Sequence, residues 1–238
     1  MDSLYIIVPA YNESANIGRF IQDWYPVIEK CNIEGKSKLV IINDGSKDNT
    51  YEIIQSYAKT RPLLVPLTKQ NSGHGSTLLF GYRYALSNHA DYIFQTDSDG
   101  QTDQREFQRF WDIRRKYDAI IGNRFARQDG LFRKFTQQVL LLILRIIFGV
   151  KIPDSNAPFR LMKARLVEKY INKMPKDFNL PNVMLTTYFT YFNEKVRFVD
   201  ISFQTRQGGK NSINYKRIIK IGWNALDDFI KLRRNING

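Results

Sequence analysis

Tyr92-Ile93-Phe94-Gln95-Thr96-Asp97-Ser98-Asp99-Gly100-Gln101 is a short apolar run that ends in two carboxylates two residues apart. A run of this length, closed by turn residues, reads as a buried strand, so both carboxylates sit in the loop that follows it. Carboxylates at i and i+2 repel each other unless a cation lies between them. A hard divalent ion, Mg²⁺ or Mn²⁺, held by carboxylates together with substrate phosphates, answers that repulsion. Asp97 and Asp99 are therefore candidate metal ligands.

The same grammar repeats upstream. Leu4-Tyr5-Ile6-Ile7-Val8, Leu39-Val40-Ile41-Ile42, Leu63-Leu64-Val65 and, downstream, Ala119-Ile120-Ile121 read as further buried strands. Helix-like segments at about 14–31, 48–60, 75–89 and 103–117 separate them, with Ser14 and Asp48 as expected N-caps. Strand–helix alternation implies an α/β fold, a mostly parallel sheet with helices on both faces. Ligands of such sheets bind beyond the carboxyl ends of the strands. Those ends carry Val8-Pro9-Ala10-Tyr11-Asn12-Glu13, Asn43-Asp44-Gly45-Ser46 and the Asp97–Gln101 turn. Between the third strand and its helix, Asn71-Ser72-Gly73-His74-Gly75-Ser76 offers glycines where a backbone can approach a phosphate. It is not a Walker A loop, since no Gly-Lys-Ser/Thr follows.

The second half has a different texture. One long apolar helix is expected over 132–149, then a loop, Asp154-Ser155-Asn156-Ala157-Pro158, helices near 163–172 and 182–192, a strand over 196–202, and a basic helix over about 212–234. No linker or repeat interrupts the 238 residues, which implies one domain, with 1–122 as a donor half and 123–238 as an acceptor-side half. A lone cysteine, Cys31, excludes an internal disulfide and points to a reducing compartment. Formal charge is +13, yet residues 1–120 are close to neutral and the excess lies entirely beyond them. Such a half implies a polyanionic partner: nucleic acid, an anionic membrane surface or a phosphorylated substrate. Met1-Asp2-Ser3-Leu4 has no basic leader, and Val139 to Val150 is interrupted by Arg145 and falls short of the roughly 20 residues of a spanning helix. The expected location is cytoplasmic, peripheral on the membrane's cytoplasmic face.

These motifs, with Gly122-Asn123-Arg124, Asp154-Ser-Asn-Ala-Pro-Phe159-Arg160 and Arg206-Gln-Gly-Gly-Lys210, resemble family 2 glycosyltransferases of GT-A fold, and within them the polyprenyl- and dolichol-phosphate sugar transferases. The resemblance implies inverting, metal-dependent transfer from a UDP- or GDP-linked sugar. It implies that Pro9, Ala10, Tyr11 and Glu13 line the nucleotide pocket with Asn71 and Gly75, that Asp44 holds base or ribose, and that Asp97 meets the nucleotide side. Asp99 and Gln101 would bind the metal on the diphosphate, and Arg206 and Lys210 would close over it. Arg124 and Arg133 fall where the family holds lipid phosphate. Where that branch usually reads Gly-Phe-Arg, this chain has Ala157-Pro158-Phe159-Arg160.

Two acceptors remain open at this point. A phosphate monoester is already an anion at neutral pH and needs cations to position it, which Arg124, Arg127, Arg133, Lys134 and Arg145 supply. A sugar hydroxyl of a glycan needs a base, for which Asp154 is the candidate. A basic nucleic-acid-binding protein is the remote alternative. No zinc-finger, RRM or helix-turn-helix pattern supports it, and acidic strand ends would repel a phosphate backbone.

Overall fold

The computed structural model describes residues 2–32, 34–124, 131–204 and 226–234, with backbone alone over 131–135. In chain order the elements are β1 (Leu4–Ala10), α1 (Ile17–Cys31), β2 (Lys38–Asp44), α2 (Thr50–Ala58), β3 (Leu64–Lys69), α3 (His74–Ser87) and β4 (Tyr92–Gln95). A single 3₁₀ turn (Gln104–Glu106) leads into α4 (Phe107–Ile113), β5 (Ala119–Arg124), α5 (Leu131–Phe148), β6 (Arg160–Lys163), α6 (Ala164–Ile171), α7 (Pro181–Tyr191) and β7 (Val196–Ile201). A further helical stretch covers 226–234; the rest of the basic helix expected from 212 lies outside the described residues.

One seven-stranded sheet runs β3-β2-β1-β4-β6-β5-β7. Every pairing is parallel except those of β6, which runs antiparallel to β4 and β5. The fold is thus α/β with a mostly parallel sheet, as the alternation implies. β6 is the strand that periodicity did not suggest. Arg160-Leu161-Met162-Lys163 is only four residues long and has a charge at each end. It becomes a strand because its neighbours supply hydrogen-bonding edges on both sides, with Gln95 and Ile121 level with Arg160.

Side-chain alternation assigns the two faces. Ile6, Val8, Leu39, Ile41 and Phe94 pack with α1 and α4, where Trp24 touches the rings of Phe94, Phe107 and Phe159. Tyr5, Ile7, Val40, Ile42, Ile93 and Ile121 face the other way, onto α3, α6 and α7. Both faces are covered, which is why the strands read as near-continuous apolar runs. The helix starts differ slightly from expectation. Asn16 and Asn49 occupy the caps, while Asp48 accepts from the Thr50 and Ser14 amides at 3.1 and 3.2 Å and so ties the first loop to the second.

Candidate active site

Because β2, β1 and β4 are parallel neighbours, their carboxyl ends lie side by side, and β5 and β7 point the same way. The antiparallel β6 begins at that edge, so the 154–160 loop arrives there too. One edge of the sheet therefore gathers the turns that the sequence singles out.

The Asp97–Gln101 turn is anchored by the residue between its carboxylates. Ser98 is buried and its Oγ donates to the Pro9 carbonyl at 2.9 Å, which joins the end of β4 to the end of β1. Asp99 Oδ1 accepts from the Gln101 amide at 3.1 Å. Gln101 is stitched to the end of β7, its side-chain amide donating to the Gln204 carbonyl and its own carbonyl accepting from the Gln204 amide, both at 2.9 Å. Asp97 Oδ1 is shielded from solvent and has no hydrogen-bond partner among the described residues. His74 Nε2 lies 3.8 Å from it, beyond hydrogen-bonding reach.

Asp44, at the end of β2, is almost wholly buried and organises the neighbouring turn. It accepts from the Ser72 and Gly73 amides, each at 3.0 Å, and is paired with Lys69 Nζ. Burial alone would raise its carboxyl, but the Lys69 and Ser72 hydrogen bonds outweigh that and hold it below the ordinary carboxylate value. Gly45 has φ +63° and lies so close to the Asn71 amide that a Cβ would stand 2.8 Å from it. Gly75 is tighter still: a Cβ there would meet the Asn179 carbonyl oxygen at 2.4 Å and the Phe178 carbonyl oxygen at 2.5 Å. In this structure Gly75 lets the start of α3 pack on the 178–179 loop. In the first loop, Pro9 and Ala10 are buried, Tyr11 is exposed, and Glu13 is buried with its Oε2 accepting from the Asn16 side-chain Nδ2 at 2.8 Å.

On the other side of β4, Arg124 ends β5 and meets Asp154. Nε and Nη2 bond Oδ2 and Oδ1 at 2.6 and 2.9 Å, a bidentate pair whose side chains are 7% and 1% exposed. The Asn156 amide also donates to Asp154 Oδ1, at 3.1 Å. The candidate acceptor-phosphate cation and the candidate base are thus bonded to each other. Phe203, just before Gln204, lies under the Arg124 guanidinium at 5.2 Å. Arg206, Lys210 and the side chain of Arg133, the other cations singled out in the sequence, lie outside the described residues.

Beneath this pair is a residue that sequence reading treats only as motif. Arg160 is fully buried and donates only to neutral acceptors: the Ala157 carbonyl from Nε at 3.0 Å and Nη2 at 2.7 Å, and the Asn182 carbonyl and Thr186 Oγ1 from Nη1 at 3.0 and 3.3 Å. Burial pushes its guanidinium down to about 10. Tyr82 continues the network, donating to Gln95 Oε1 at 2.7 Å and lying 3.2 Å from Asn182 Oδ1. The one local hint was an arginine flanked by Phe159 and Leu161, a charge inside an apolar run.

Chemically, the edge presents two adjacent carboxylates in the turn that follows β4 and a buried arginine–aspartate pair at the neighbouring ends of β5 and β6. Among the described residues no group of three or more His, Cys, Asp or Glu could cage a metal. Two carboxylates that need substrate phosphate oxygens to complete a shell are the usual arrangement for Mg²⁺ or Mn²⁺. The unpartnered Asp97 oxygen fits that donor set.

Comparison with known proteins gives the family and the fold. The chain is similar to the undecaprenyl-phosphate 4-deoxy-4-formamido-L-arabinose transferase of Pectobacterium carotovorum subsp. carotovorum, 22% identical over 225 residues that cover 93% of this chain and 65% of that protein. It is 31% identical over 183 residues to the dolichyl-phosphate beta-glucosyltransferase of Dictyostelium discoideum, covering 68% of this chain and 54% of the relative. The chain therefore spans less than two thirds of the length of these relatives. Among solved structures, glucosyl-3-phosphoglycerate synthase from Mycobacterium tuberculosis, in complex with Mn²⁺, UDP-glucose and phosphoglyceric acid, matches with a TM-score of 0.69 at 14% identity, covering 98% of this chain and 80% of that one. S. aureus TarS 1–349 matches at 0.57 and 17% identity, covering 86% and 59%. These likenesses establish the GT-A fold. Residues 5–173, most of the chain, match the glycosyl transferase family 2 domain, and the chain belongs to that family.

Proposed function

We propose that this chain is a glycosyltransferase that moves a sugar, with inversion, from a UDP- or GDP-linked donor to a polyprenyl phosphate at the cytoplasmic face of a membrane. The observation that carries the reading is that one sheet edge holds both the Asp97–Asp99 turn, at the end of β4, and the buried Arg124–Asp154 pair, at the ends of β5 and β6. Residues 1–122 form the donor half in this reading and 123–238 the acceptor-side half. Pro9, Ala10, Tyr11, Glu13, Asp44, Asn71 and Gly75 line the nucleotide pocket, with the exposed Tyr11 ring available to a base. Asp97, Asp99 and Gln101 hold Mg²⁺ or Mn²⁺, which when bound neutralises the charge developing on the leaving diphosphate. Arg206 and Lys210 add cations to that diphosphate.

The acceptor assignment favours phosphate over a sugar hydroxyl. A hydroxyl needs an available base, whereas both Asp154 oxygens already accept from Arg124. A phosphate monoester needs cations rather than a base; Arg124, whose Nη1 takes no part in the bidentate bond to Asp154, and Arg133 are the cations assigned to it in this reading. The undecaprenyl- and dolichyl-phosphate names of the relatives support the same class. The test is direct. The protein, Mn²⁺ and a panel of UDP- and GDP-hexoses are incubated with undecaprenyl phosphate in vesicles. A lipid-linked sugar of inverted anomeric configuration is expected, and chelation should stop its formation. A panel that gives no lipid-linked product overturns the reading.

Contact with an anionic membrane surface has its own support. Val139, Leu142 and Ile146 on α5 are 40%, 57% and 74% exposed and fall at i, i+3 and i+7, one face of the helix. Arg145 and Lys151 are exposed beside them. The 226–234 stretch lies against α5, Arg233 donating to the Ile147 carbonyl at 3.2 Å, and brings exposed Ile230, Lys231 and Arg234 to the same region. Among the described residues no helix is long and apolar enough to cross a membrane. An apolar face flanked by cations suits a surface-lying helix. Leu142→Asp with Ile146→Asp should lower retention on phosphatidylglycerol vesicles about tenfold or more, with nucleotide binding unchanged. Sedimentation with vesicles reads the first and calorimetry the second.

A further inference from the structure

The loop that brings Asp154 to the sheet edge is irregular and faces inward: of residues 154–157 only Asn156 is exposed. A buried loop carries carbonyls that no helix or strand ladder satisfies, so groups inside the protein must bond them. Arg160 does so. Its Nε and Nη2 both donate to the Ala157 carbonyl, at 3.0 and 2.7 Å. Its Nη1 donates at 3.3 Å to Thr186 Oγ1, which itself stands 3.1 Å from the Ser155 carbonyl oxygen. The carbonyls on either side of Asn156 are thus held by one guanidinium and one hydroxyl.

Both fastening points are themselves tied to β4. Arg160 lies level with Gln95 in the sheet, two residues before Asp97. Nη1 also bonds the Asn182 carbonyl at the start of α7, and Tyr82 joins the Asn182 side chain back to Gln95. An apolar side chain would pack here at least as well, as Met162 does, buried two residues on and on the same face of β6. What an arginine adds is hydrogen bonds with direction. We propose that Arg160 is a positioning residue for acceptor use: by holding the Ser155–Ala157 carbonyls it sets where Asp154, and with it the Arg124 guanidinium, stands relative to the carboxylate turn after β4. It touches no substrate, because its side chain is fully buried. The assignment rests on the acceptor reading above, in which Arg124 meets the lipid phosphate, and adds to it the residue that places that cation.

The experiment measures kcat and two separate KM values, for undecaprenyl phosphate in vesicles and for the nucleotide hexose that wild type uses, at saturating Mn²⁺. The proteins are wild type, Arg160→Met, Arg160→Gln and Thr186→Val, with circular dichroism to show which of them fold. Arg160→Met should raise KM for undecaprenyl phosphate about tenfold or more and leave KM for the nucleotide hexose unchanged. Arg160→Gln is neutral but keeps N–H donors, so it should recover part of that loss. Thr186→Val keeps the shape of the side chain without the hydroxyl and should raise the same KM about fivefold. Lost stability alone lowers the amount of active enzyme and moves neither KM. Unchanged KM values in Thr186→Val and in whichever Arg160 variants fold overturn the assignment. Equal rises in both KM values overturn it too, since they would put the effect on the whole edge. Arg160→Gln no better than Arg160→Met would make the charge, and not the held carbonyls, the cause. Wild type that transfers to undecaprenyl phosphate from neither nucleotide series overturns the acceptor reading, and this assignment with it.

Discussion

Asp99→Asn is expected to lower sugar transfer by about a thousandfold and to abolish metal-dependent nucleotide binding, with the fold intact. The asparagine keeps an oxygen for the Gln101 amide, which Asp99 Oδ1 now accepts at 3.1 Å, so the turn itself should survive. Ser98 still fastens the turn to Pro9 from between the two positions. In the proposed site the substitution removes one of the two negative charges that would face a dication and a departing diphosphate. The remaining Asp97 cannot hold a hard ion with phosphate oxygens alone against water. The measurement is initial rate of lipid-linked sugar formation over a range of Mn²⁺ concentrations, with calorimetry of UDP and GDP in parallel. A rate within tenfold of wild type at saturating metal would remove Asp99 from the metal site.

Asp154→Ala should be the most destabilising single change at the site, by about 3–5 kcal/mol. It strands the Arg124 guanidinium, only 7% exposed, without the carboxylate that bonds it twice. A second buried guanidinium, Arg160, already sits close by with only neutral hydrogen-bond acceptors among the described residues, so the change also removes one of the carboxylates that oppose its charge. Arg124→Ala should cost a comparable amount, because it leaves a carboxylate that is 1% exposed. Combining Arg124→Met with Asp154→Leu removes both charges and should recover most of the stability. It should not recover use of a polyprenyl phosphate, since the cation proposed to meet that phosphate is gone. Urea denaturation reads stability, and transfer to undecaprenyl phosphate reads function. If the double variant regains both, the pair is a packing device and the acceptor lies elsewhere.

Much of the fold was readable because its signals are local. Runs such as Leu4–Val8 and Leu39–Ile42 are apolar at every position, which only a sheet covered on both faces requires. β6 was not readable, since its strand character comes from the edges of β4 and β5 rather than from Arg160–Lys163 itself. The site divides in the same way. Asp97 and Asp99 announced themselves through mutual repulsion two residues apart. Asp44 stood out as a strand-end carboxylate, but Lys69, the cation that pairs with it, lies 25 residues later with no spacing to link them. The clearest case is Arg124 and Asp154. Each was singled out for a separate task, as phosphate cation and as base, and the structure bonds them to each other.

The sequence by itself therefore determined the α/β class, the family and the strand-end turns that the sheet gathers at one edge, because periodicity and motif spacing are properties of neighbours along the chain. Only the tertiary structure decided which polar groups are partnered: Asp44 by Lys69, Asp154 by Arg124, Gln101 by Gln204, and, among the described residues, Asp97 Oδ1 by no hydrogen bond. The physical reason is that pairing depends on which strand ends the sheet order brings together. Crossovers of tens of residues set that order, and it leaves no local trace.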